Sequence, residues 1–116
     1  MAITYLFAGV PVADYDAARP WYERLIGRAP DMLPHDREAA WQLSETGWIY
    51  VVADAERAGR ALVTILVDDL DSEVAALAER GIVVEAIETV PGKFRRTAVV
   101  DPDGNRIAFA QPLGGA

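Results

Sequence analysis

The chain contains no cysteine, a single lysine and a single histidine. Without cysteine there is no disulfide framework, no thiolate metal site and no cysteine nucleophile. The lone lysine, Lys93, and a formal net charge of −7 argue against a nucleic-acid partner, because phosphate binding needs a basic face. Acidity of this size favours a cationic ligand only weakly, and serves solubility first. The only serines, Ser44 and Ser72, fall in a turn and at a helix start, with no triad around either. Neither GxGxxG nor a phosphate-loop pattern is present. No apolar run reaches the length of a membrane span. The opening "MAITYLFAGVPVAD" has no basic region, and its apolar run is too short for a signal peptide. The expectation is a cytoplasmic protein with no membrane and no nucleic-acid partner.

What is present is a chain of 116 residues, 52% of them hydrophobic, enough to close the core of one domain over residues 1–116. "ITYLFAGVPV" (3–12) reads as a strand. "ADYDAARPWYERLIG" reads as a helix that Asp14 or Asp16 can cap and Gly27 ends. Ala18, Tyr22 and Leu25 form its apolar stripe. Pro20 is tolerable only in a first turn, so the helix is expected to start at Asp16 or later, or to bend. Residues 29–54 give three short extended pieces, and "AERAGR" (55–60) is the linker candidate. The order then recurs. "ALVTILV" is a strand, and "DDLDSEVAALAERG" is a helix capped by Asp69 or Asp71 and closed by Gly81. "IVVEAIE", "RRTAVV" and "RIAFAQ" are three more strands.

The pattern is therefore β-α-β-β-β written twice, over about residues 3–54 and 61–112. The fold class is α+β: two tandem modules, each a mixed sheet with one helix on one face, curved around a cavity. Alternation assigns the faces. Leu6, Ala8, Val10, Ile49, Val51, Val63, Ile65, Val67, Ile107 and Phe109 belong to the helix side. Tyr5, Phe7, Gly9, Trp48, Tyr50, Val52, Leu62, Thr64, Leu66, Arg106, Ala108 and Ala110 belong to the opposite side. That second set mixes aromatic, aliphatic, hydroxyl and charged groups, which suits a ligand cavity better than a close-packed core.

The duplication, the V-x-D strand ends before each helix, "WYERLIG" and "DPDGNRIAF" resemble the vicinal oxygen chelate superfamily of glyoxalases, extradiol dioxygenases and bleomycin-resistance proteins. The resemblance implies the fold and a pairing of modules, often across a homodimer. In metal-dependent members the ion is held by side chains on the first and last strand of each module. The matching positions here are Phe7, Tyr50, Leu62 and Ala108, none a usual donor to a divalent ion. The resemblance so implies the metal-free branch, with no cofactor, in which the cavity binds a small organic molecule, cationic or aromatic.

Phe7, Trp41, Trp48, Tyr50, Leu62, Thr64, Arg106 and Ala108 are the candidate ligand-binding residues. Trp41, Trp48 and Tyr50 can stack on a flat or cationic ligand, although "AAWQL" leaves the facing of Trp41 undetermined. Glu38 and Gln42 are further groups able to orient a ligand. His35 and Glu38 form the candidate acid/base pair of an alternative reading, a lyase or isomerase that also uses Tyr50. A metal enzyme with unusual ligands is the third. Glu85 and Glu88, of opposite strand parity, are not expected to form a carboxylate pair. Asp101 and Asp103 read as turn formers.

Overall fold

The computed structural model describes residues 2–114. Strand β1 (Leu6–Val12) leads into helix α1 (Tyr15–Ile26), followed by β2 (Met32–His35), β3 (Glu38–Gln42) and β4 (Gly47–Ala53). The second module repeats this with β5 (Leu62–Leu66), α2 (Leu70–Glu79), β6 (Glu88–Val90), β7 (Phe94–Val100) and β8 (Arg106–Pro112). The two four-stranded sheets have the same order, β1-β4-β3-β2 and β5-β8-β7-β6. In each, the first strand runs parallel to the last and the others pair antiparallel. The duplicated α+β architecture is thus present strand for strand. No helix among the described residues is long and apolar enough to cross a membrane.

Local chemistry sets the helix ends. Asp14 accepts from the Ala17 amide and Asp69 from the Ser72 amide, so the first acid of each pair is the cap. Gly27 closes α1 at φ +92°, a left-handed conformation that glycine adopts without strain. Pro20 lies inside α1, which runs through it rather than starting late. Its ring is exposed, so the intrahelical bond it forgoes is lost on the side facing water.

The helix-side residues of both sheets and both helices join in one core. Val10, Val12, Tyr22, Trp41, Ile49, Val51, Leu70, Leu77, Val99 and Ile107 are all but fully buried in it. Each such side chain contributes about 1.5–3 kcal/mol of burial. Two expectations fail at the margins. Leu6, assigned to the helix side, is 74% exposed, because β1 begins there and α1 does not reach that end. "IVVEAIE" forms no strand over residues 82–87. It is tied to β7 by Glu85, whose amide donates to the Ala98 carbonyl and whose carbonyl accepts from the Thr97 hydroxyl at 2.6 Å.

The modules are joined on the helix side by the "DPDGN" turn. The buried Asp101 carboxylate accepts from the Tyr22 hydroxyl (2.7 Å), the Asn105 side-chain amide (2.8 Å), and the Asp103 and Asn105 backbone amides (both 2.9 Å). The Asn105 carboxamide also donates to the Pro11 carbonyl at 2.8 Å and accepts from the Ala61 amide at 2.9 Å. One side chain so fixes the end of β1 to the start of β5. Burial first, and then the neighbouring Asp101 carboxylate, push the Tyr22 phenol well above its ordinary range. Arg80, past the end of α2, donates to the Arg24 and Leu25 carbonyls at the end of α1, where a cation complements the helix dipole.

Candidate functional site

With both helices spent on one shared core, each sheet keeps an open face. On the first sheet, register places Phe7 and Gly9 of β1 beside Trp48 and Tyr50 of β4, and Tyr50 beside Ala40 of β3. Phe7 stacks on Trp48 with ring centroids 5.4 Å apart and planes 21° from parallel. Tyr50 lies tilted beside Phe7 at 6.4 Å. Gly9 makes this possible, since a Cβ there would stand 2.5 Å from the Tyr50 hydroxyl. Among the described residues, the Trp48 indole N–H is a buried donor without a partner.

Trp41 is not part of this platform. It pairs with Ile49 and therefore shares the helix side, where it is 0% exposed. Its indole N–H donates to the Arg28 carbonyl at 3.0 Å. The correction follows from parity: β3 and β4 are in antiparallel register, so the partner of a helix-side residue is itself helix-side.

His35 and Glu38 do come together, across the tight turn between β2 and β3. His35 Nε2 lies 3.1 Å from Glu38 Oε1. His35 Nδ1 accepts from the Arg37 amide at 3.1 Å, which leaves the proton on Nε2, directed at Glu38. Glu38 pairs with Val52 and so shares the face of Tyr50; its side chain is 21% exposed, that of His35 53%.

On the second sheet, Leu62, Thr64 and Leu66 of β5 lie beside Arg106, Ala108 and Ala110 of β8. Leu62 is 83% and Leu66 67% exposed. Two hollows adjoin on this face. One, of about 280 Å³, includes Leu62, Thr64, Glu85, Glu88, Arg96 and Arg106 in its walls. The other, of about 330 Å³, is lined by Leu66, Phe94, Ala108, Ala110 and Pro112, with Lys93 and Arg96. Arg106 grips Glu85 with two bonds, of 2.5 and 2.8 Å, and this hydrogen bonding holds the Glu85 carboxyl below its usual range. Arg96 bonds Glu88 and lies over the Phe94 ring at 5.2 Å. Glu85 and Glu88 thus share a hollow, because residue 85 stands outside the ladder that parity arguments require. Arg95, next to Arg96 on β7, points to the helix side and binds Asp71 in the first turn of α2.

Phe7, Leu62 and Ala108 have no donor atom and Tyr50 only a phenol, so these positions do not fit a divalent ion. Among the described residues no group of three or more His, Cys, Asp or Glu is placed to hold one.

The sequence model of the glyoxalase/bleomycin resistance protein/dioxygenase superfamily matches residues 4–109. The chain belongs to this superfamily. A solved superfamily structure described as a glyoxalase/bleomycin resistance protein, from Catenulispora acidiphila, is 43% identical, with a TM-score of 0.88 over 92% of this chain and 96% of its own. An antibiotic binding protein from a Streptomyces species is 28% identical, with a TM-score of 0.74 over 97% of this chain and 98% of its own. A bleomycin resistance determinant encoded on transposon Tn5 shares the fold at 19% identity, with a TM-score of 0.71 over 92% of this chain and 96% of its own. No curated protein matches the chain.

Proposed function

We propose that the chain is a metal-independent small-molecule binding protein acting as a homodimer. The open face of the first module in one copy covers that of the second module in its partner. Phe7, Trp48 and Tyr50 then stand across the ligand from Leu62, Thr64, Arg106 and Ala108. The carrying observation is that both open faces leave large apolar side chains uncovered, Leu62 at 83% and Phe7 at 45% exposure, and that on the second sheet they adjoin hollows that no helix lines. The lack of any imidazole or carboxylate at Phe7, Tyr50, Leu62 and Ala108 supports metal independence. The similarity to an antibiotic binding protein supports a small organic ligand.

Titration of a broad ligand panel, including cationic antibiotics and flat aromatics, followed by tryptophan fluorescence and calorimetry, tests this. Saturable binding is expected, with a dimer in sedimentation and no stoichiometric metal after purification without added ions. A silent panel refutes the binding reading, and stoichiometric nickel, zinc, iron or manganese refutes metal independence.

The His35–Glu38 pair favours one second reading, a lyase or isomerase of the same fold. Glu38 is its base, His35 the group that orients Glu38, and Tyr50 a phenol on the same face. Conversion of a bound compound, seen by NMR in the wild type and lost in Glu38→Gln, supports it. Unchanged conversion in that variant removes it.

A further inference from the structure

Resting on the small-molecule reading, we infer that the second module's floor takes an anion with a flat apolar body, not a cation. Ala108 and Ala110 pave the larger hollow with methyl groups, and Leu66, Phe94 and Pro112 form its sides. Side chains this short, two residues apart on β8, leave a shallow floor on which a ring can lie at van der Waals distance. The charged residues lining this hollow are Lys93 and Arg96, both cations; no carboxylate lines it, and Glu88, the partner of Arg96, belongs to the adjoining hollow.

The acids nearby are already matched. Glu85 is held by Arg106 and Glu88 by Arg96. A cationic ligand would have to break one of these pairs and leave a guanidinium without its partner. Lys93, by contrast, enters no ion pair among the described residues; its backbone alone is tied down, in the turn between β6 and β7. The only lysine of a chain with net charge −7 therefore stands at the rim of an apolar hollow, its ammonium in no ion pair among the described residues. The local field opposes that of the whole molecule and favours an anionic group.

The test is calorimetric titration of the full chain with 2-naphthoate, its neutral amide and the cationic 2-naphthylmethylammonium. Naphthoate is expected to bind about fivefold more tightly than the amide, the size of a partly solvated ion pair, with the cation weakest. Lys93→Gln brings naphthoate down to the amide, and added salt narrows the gap in the wild type. Ala108→Phe, which fills the floor, abolishes naphthoate binding while far-UV circular dichroism stays unchanged. A cation bound as tightly as naphthoate, a Lys93→Gln ratio that does not move, or naphthoate binding that survives Ala108→Phe overturns the inference and leaves the binding reading standing. If the naphthalenes fail while other panel compounds bind, the ligand class is wrong. If the whole panel fails, the binding reading falls with it.

Discussion

Replacing Asn105 by alanine is expected to be the most damaging single change outside the apolar core. The carboxamide makes three bonds, to the Pro11 carbonyl, the Asp101 carboxylate and the Ala61 amide. Its residue is 0% exposed, so water does not replace them unless the turn opens. Two backbone groups in different modules lose their partner, at about 1–3 kcal/mol each. Asp101 keeps the Tyr22 hydroxyl and two backbone amides, so its loss is smaller. A destabilisation of about 3–4 kcal/mol follows, towards the middle of the summed range because the vacated volume admits a water. Unfolding entropy for a chain of this length is about 0.24 kcal/mol/K, so the melting temperature falls by about 12–16 °C. Urea and thermal unfolding of Asn105→Ala beside the exposed control Glu45→Ala measure this. A loss below about 1 kcal/mol would mean that the modules are held by apolar packing alone, and would refute the reasoning.

Two further outcomes follow from the same geometry. The raised Tyr22 phenol contributes stability that is complete below its unfolded pKa of about 10 and is lost as pH climbs beyond it. The wild type should therefore weaken from about pH 10 upward. Tyr22→Phe should lose about 1–3 kcal/mol at neutral pH and show a flatter alkaline limb in urea titrations; an unchanged alkaline slope counts against the assignment. Gly9→Ala drives a methyl into the Tyr50 ring, 2.5 Å from its hydroxyl. The ring must swing off β1, altering near-UV but not far-UV circular dichroism, and an unaltered near-UV spectrum would contradict the placement.

The architecture was legible because both modules write the same order of elements, and because Asp14, Asp69 and Gly27 mark helix ends by purely local bonding. The open faces were legible wherever strands alternate cleanly, as in Leu62, Thr64 and Leu66. Trp41 was not legible, since "AAWQL" has no alternation of its own and only pairing with Ile49 fixes its side. The joining role of Asn105 was hidden for another reason. Its partners Pro11 and Ala61 lie 94 and 44 residues away, whereas a "DPDGN" string announces only its own turn. Residues 82–87 misled because β-branched composition promises a strand, while a ladder needs a neighbour willing to pair along its length.

The alternation along β5 separates two kinds of constraint residue by residue. Val63 and Ile65 answer to the shared core, while Leu62, Thr64 and Leu66 answer to whatever the molecule meets. Random substitution confined to the latter three, with Ala108 and Ala110 opposite them, would explore new specificities without touching the interior. Selection acting on a gene of this kind has the same freedom, and a scaffold so divided can change its guest far faster than its shape.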